Sequence, residues 1–149
     1  MRDSMEEILV KAHPVIFRDY KKSPQETCLA WGLECGDGWF AIIKELCKDV
    51  DEYCKDRPFV IVADQVKEKF GTLRFYYHTE RSGGEDSDED YRVIRDIVSK
   101  YERLSEVTCE VTGQPGTMHM RSPSGWIRTL SKEQAKIGGY VVVPKSQQL

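Results

Sequence analysis

No apolar run in this 149-residue chain exceeds five residues, the length reached at Trp39–Ile43 and again at Phe59–Ala63. A membrane-spanning helix needs about 20, so none is expected. Cysteine is scarce too: five residues, an odd and low-density set that suits free thiols in a reducing compartment better than a disulfide framework. Cys47 and Cys54, on one expected helix face, read as small buried side chains. The three histidines, His13, His78 and His119, are scattered and form no local signature for nucleophilic catalysis. Phosphate-loop and dinucleotide fingerprints are missing. Asp64 and Glu68 lack the acid-x-Lys spacing of a metal-dependent nuclease, and the acidic run at 85–90 lacks the glycine and closing glutamate of a calcium loop. A net charge of −3, from 22 Lys+Arg against 25 Asp+Glu, excludes bulk cationic attraction to nucleic acid or membranes but leaves room for a local basic site. These absences favour a binding protein over an enzyme, with no cofactor. Acids at Asp3, Glu6 and Glu7, where a secretory leader would be apolar, lead to the expectation of a cytoplasmic protein.

The length suits one domain, divisible into a core over 1–106 and a C-terminal segment over 107–149 packed on it. A short helix is expected at Ser4–Lys11, stopped near Pro14, and a helical turn at Glu26–Trp31. Cys35-Gly36-Asp37-Gly38-Trp39 reads as a tight turn with Asp37 capping the next helix. That helix carries Trp39, Ile42, Ile43, Leu46, Cys47, Val50, Tyr53 and Cys54 on one stripe and ends at Arg57-Pro58. Phe59–Ala63 is a β-branched strand, and Val66–His78 a hairpin turning at Gly71-Thr72. An acidic loop over 82–90 leads into a second amphipathic helix, Asp88–Leu104, with Tyr91, Ile94, Ile97, Val98, Tyr101 and Leu104 on one side. Two short strands around Ser122–Gly125, a helix near Ser131–Lys136 and a strand at Tyr140–Val143 complete the chain. The class is α+β: a small antiparallel sheet with a central hairpin, packed by two amphipathic helices. Trp39 and Trp31 are expected in the core and Trp126 partly exposed.

The hairpin supplies the candidate site. Strand alternation places Lys67, Lys69, Arg74 and Tyr76 on one face and Val66, Leu73, Phe75 and Tyr77 on the other, with Glu68 awkwardly on the apolar side, at a bulge or paired with a cation. Two ammonium groups, a planar guanidinium and a phenol suit a phosphorylated ligand bearing an aromatic base, a nucleotide or a nucleotide-derived signal. The helix N-terminus at Asp37 adds N–H groups able to accept an anion. The bland explanation is a row of charges that keeps an edge hairpin from aggregating.

Charge is unevenly divided. Residues 80–110 hold ten acids and five bases, whereas 111–149 hold five bases and one acid. The acidic stretch is a solvated helix face and loop. Alternatively the acidic helix and the C-terminal segment, with Trp126 and Arg128, form a docking surface for a host or phage protein. A weaker alternative is nucleic-acid binding through the combined bases of hairpin and tail.

Three stretches together, Cys35–Trp39, Val66–Tyr76, and Cys109–Gly116 with Gly125-Trp126 and Thr129-Leu130, resemble a family of small uncharacterised proteins of bacteriophages and prophages. The resemblance spans about His13 to Ala135. It implies a location in the host cytoplasm and makes interference with host defence conceivable, by sequestering a ligand. It also implies that the C-terminal segment is a relic zinc ribbon: Cys109 remains, while the other ligand positions hold Thr112, Ser131 and a residue near Gln134. One thiolate, even with His119, cannot build the four-ligand tetrahedron of structural zinc. A metal-free segment is therefore expected, held by Val111, Trp126, Ile127, Leu130 and the Tyr140–Val143 strand.

Overall fold

The computed structural model describes residues 1–85 and 87–147. Asp86 of the acidic loop, and Gln148 and Leu149 of the C-terminal segment, lie outside the described residues. The chain runs α1 (Asp3–Ala12), α2 (Phe40–Cys54), β1 (Phe59–Lys69), β2 (Thr72–Arg81), α3 (Asp88–Ser105), β3 (Thr117–Arg121), β4 (Trp126–Leu130), α4 (Lys132–Gly138) and β5 (Val141–Val142). The fold is α+β, but its strands divide into two sheets: a β1–β2 antiparallel hairpin and a three-stranded antiparallel sheet in the order β4-β3-β5. No described helix is long and apolar enough to cross a membrane.

The stretches expected as a strand and a separate hairpin arm are one strand, bent at a bulge. Pairing steps from Ala63↔Tyr77 to Gln65↔Tyr76, leaving Asp64 as the extra residue. One inserted residue reverses the parity of the faces. Phe59, Ile61 and Ala63 therefore face the core before the bulge, and Val66 faces it afterwards; all four are buried. The partner strand has no insertion and keeps Leu73 and Phe75 inward throughout.

This hairpin packs against α2, through Ile42, Ile43, Leu46, Cys47 and Val50, and against α3, through Ile94, Val98 and Tyr101. Its free edges are closed by other parts of the chain. The Glu34 N–H and carbonyl bond Val66 and Glu68 on the β1 side, and the Ala63 N–H donates to the Ile16 carbonyl. On the β2 side, the Leu73 and Phe75 N–H groups donate to Ser105 Oγ and Glu102 Oε1 of α3, both at 2.9 Å. Edge protection thus falls to neighbouring segments. Trp39 is fully buried as expected, whereas Trp31, expected in the core, is 72% exposed on its short 3₁₀ turn.

The C-terminal segment has a small core of its own: Cys109, Leu130 and Ala135, with Tyr140 against them. Val111 and Trp126, expected to hold it together, are exposed. The segment is secured mainly by docking on the first part of the chain. A Cβ on Gly38 would sit 2.2 Å from the Cys109 carbonyl, so only glycine allows the Cys35–Trp39 turn to lie on that backbone. Trp39 Nε1 donates to the Thr108 carbonyl (2.9 Å), and Thr129 Oγ1 donates to the Gly71 carbonyl (2.7 Å).

Candidate functional site

The hairpin turn is Phe70-Gly71, one residue earlier than expected, with both residues at positive φ (53° and 79°). Two successive left-handed residues match the twist of a two-residue hairpin loop, and glycine fills the second position without strain. Glu68 explains its awkward placement here: Oε1 accepts the Gly71 N–H at 2.9 Å, so the carboxylate braces the turn; the bulge lies at Asp64 instead. Thr72 Oγ1 donates to the Lys69 carbonyl, closing the other side of the loop.

The braced tip stands across a cleft from the β3–β4 turn. Its narrower part, about 350 Å³, is lined by Lys67, Glu68, Lys69 and Phe70 from the hairpin and by Ser124 and Trp126 from the facing turn. A wider part, about 700 Å³, shares Glu68, Ser124 and Trp126 and adds Glu34, Glu110 and Arg121, among others. Both volumes lie in the usual range for small-molecule sites. Trp126 and Phe70, each 58% exposed, present aromatic surface at its mouth. Lys67, Lys69 and Arg121 make no ion pair among the described residues; the Lys69 ammonium lies 5.9 Å from the Phe70 ring centroid.

No protein-family model, curated protein or solved structure shows significant similarity to this chain.

The other expected site residues lie apart from the cleft. Arg74 is opposite Lys67 across the hairpin, but its Nη1 donates to Thr72 Oγ1 (2.6 Å) and to the Leu73 carbonyl (3.2 Å). Tyr76 faces Gln65 at the exposed surface. Asp37 does not cap α2; it accepts the Arg2 N–H at 2.8 Å and Arg2 Nε at 2.6 Å, and these partners hold its carboxyl below the usual range. The N–H groups of Gly36 and Gly38 in the turn are engaged as well. Gly36 N–H donates to Glu110 Oε1 (3.0 Å) and Gly38 N–H to the Glu110 carbonyl (2.7 Å). An internal carboxylate occupies the place proposed for a ligand.

Glu110 also binds Arg128 Nε through Oε2 at 3.0 Å. One buried side chain therefore clasps the Cys35–Trp39 turn to β4, beside the tip of the hairpin. The three sequence stretches that carried the resemblance meet at this point and form the cleft wall. Sequence reading singled out Lys67 and Lys69 but passed over the adjacent Phe70, and also Glu110 and Arg121, whose separation of more than 40 residues from the lysines carries no local pattern.

Among the described residues no group of three or more His, Cys, Asp or Glu is placed to hold a metal ion. Around the buried Cys109 lie the residues at two of the positions that the resemblance assigns to lost ligands. Burial raises this thiol's pKa, but hydrogen bonds from the Thr112 side chain and from the Ser131, Thr112 and Val111 N–H groups outweigh it, leaving the pKa below the ordinary value. His119 is buried elsewhere, its Nδ1 2.7 Å from the Thr117 carbonyl.

Proposed function

We propose that the cleft between the hairpin tip and the β3–β4 turn binds a small phosphorylated ligand with a flat aromatic ring, of the nucleotide class, and that the chain acts by sequestering it. The observation that carries this reading is that the ammonium-bearing Lys67 and Lys69 open on the same cavity as the exposed indole of Trp126. Ammonium groups neutralise phosphate, and an indole face accepts a stacked base. Arg121 at the wider part adds a third cation without a described partner. Arg74, Tyr76 and Asp37 are left out of the site. The resemblance to phage and prophage proteins adds a setting, the host cytoplasm, in which withdrawing a nucleotide signal interferes with defence.

The test is equilibrium quenching of tryptophan fluorescence by nucleotides in a Trp31→Phe background, which leaves Trp126 as the accessible indole. A charge-assisted hydrogen bond contributes about 1.5–3 kcal/mol, so replacing each lysine by glutamine should weaken binding by roughly ten- to hundred-fold. Absence of quenching and of thermal stabilisation at millimolar nucleotide would end this reading.

A second reading, docking of a host or phage protein, draws on the exposed aromatics Phe70 and Trp126, which line one cavity, since such anchors dominate interfaces. In that case Trp126→Ala abolishes capture of the partner while Lys67→Gln and Lys69→Gln leave it intact.

A further inference from the structure

Three carboxylates, Glu34, Glu68 and Glu110, stand in the wider part of the cleft beside Arg121 and Arg128, and hydrogen bonds divide the carboxylate oxygens into used and unused acceptors. Both oxygens of Glu110 are engaged, by Gly36 N–H and by Arg128 Nε. Glu68 and Glu34 are each engaged through Oε1 alone, by Gly71 N–H at 2.9 Å and by Gln65 Nε2 at 3.0 Å. Their Oε2 atoms accept no hydrogen bond among the described residues, and both residues line the cavity that Trp126 borders. The cleft thus offers both kinds of group: Lys67 and Lys69, without an ion pair among the described residues, line its narrow part, Glu34 and Arg121 line its wide part, and Glu68 and the indole are common to both.

From this arrangement we infer that the site selects a guanine base, with Glu68 and Glu34 as the specificity-determining residues; the inference rests on the nucleotide reading above. An ionised carboxylate only accepts hydrogen bonds, so the ring edge it meets must donate. Guanine presents two adjacent donors, the N1–H and the exocyclic amine, which two carboxylate oxygens, one from Glu68 and one from Glu34, accept together. Hypoxanthine keeps N1–H and lacks the amine. Adenine offers one amine beside an acceptor nitrogen, and uracil offers one N–H between two carbonyls; both acceptors repel the carboxylate. Glu68 is half-buried and Glu34 exposed, so discrimination comes from the paired contact itself and from repulsion of a facing acceptor rather than from desolvation. The ranking is then guanine first, hypoxanthine second, adenine and uracil last. One bidentate contact corresponds to roughly a ten- to hundred-fold preference.

The experiment measures binding of GMP, IMP, AMP and UMP by calorimetry to the full chain and to its Glu68→Gln and Glu34→Gln variants. Glutamine keeps an acceptor for the Gly71 and Gln65 donors, so folding is checked by an unchanged circular dichroism spectrum and melting transition. The expected result is GMP bound at least ten-fold more tightly than IMP, with the preference falling to within about three-fold in one or both variants. Four nucleotides bound equally would overturn the base assignment and leave the phosphate-and-ring reading standing. A GMP preference unchanged in both variants would overturn the role of these carboxylates. Binding of none of the four would remove both readings.

Discussion

Truncating Glu110 tests the clasp that forms the cleft wall. In Glu110→Ala the partly buried Gly36 N–H loses its acceptor, and an unpaired donor of this kind costs about 1–3 kcal/mol. Arg128 is also stranded; its side chain is 28% exposed, so solvent recovers much of the loss and about 1 kcal/mol remains. The total is about 2–4 kcal/mol. At about 2–4 °C per kcal/mol for a chain of this size, the variant should melt roughly 5–15 °C below the parent protein. Glu110→Gln keeps an acceptor for Gly36 and loses only the ionic part, so its shift should be less than half as large. Differential scanning calorimetry of both variants, with Arg128→Ala completing a double-mutant cycle, measures the Glu110–Arg128 coupling directly. Shifts under 2 °C in both Glu110 variants would show that the C-terminal segment is held by something else, and the account of the cleft wall would fall with them.

Gly38→Ala should destabilise by at least about 2–3 kcal/mol in urea denaturation, because its Cβ would meet backbone that cannot move aside; a change below 1 kcal/mol refutes the close approach. His78 should titrate above its ordinary 6.5, since Asp64 Oδ1 at 2.7 Å holds the proton, with Glu80 adding to it. The stability it contributes is then complete below pH 6.5 and disappears as pH rises through the folded-state pKa. Asp64→Asn should lower that pKa in an NMR titration, and an unchanged value would exclude the pairing. Thiol labelling of the native protein should be fast at Cys28, slower at Cys54, and blocked at Cys35, Cys47 and Cys109 until unfolding, because these three are buried and burial pushes the Cys35 thiol up to about 12. Rapid reaction at Cys47 would contradict the packing of α2. Adding a chelator is expected to leave the melting temperature unchanged, whereas one equivalent of zinc in purified protein would overturn the metal-free reading of residues 107–149.

Local pattern was enough for α2, where the spacing of Ile42, Ile43, Leu46, Cys47 and Val50 leaves one face to bury, and those side chains are the ones buried. It was enough for the α3 stripe through Ile94, Val98 and Tyr101, and for the alternation that places Lys67 and Lys69 on the face away from Val66. Each of these follows from a repeat of two or 3.6 residues, which neighbouring residues express without help from the rest of the chain. The bulge at Asp64 breaks that repeat by one residue, so β1 looked like two elements until its pairing with an uninterrupted β2 joined them. Trp31 was misplaced because hydrophobicity alone does not say whether a short 3₁₀ turn shows its indole to the core or to solvent. The candidate site depended still more on tertiary structure. Glu68 acquired its role from the positive-φ turn it braces, Asp37 was taken by Arg2, and the turn N–H groups were taken by Glu110 from 74 residues away. A hydrogen bond between distant segments forms only where the backbone brings donor and acceptor within about 3 Å. Which polar groups remain unpaired, and so available to a ligand, was decided by docking of the C-terminal segment onto the hairpin.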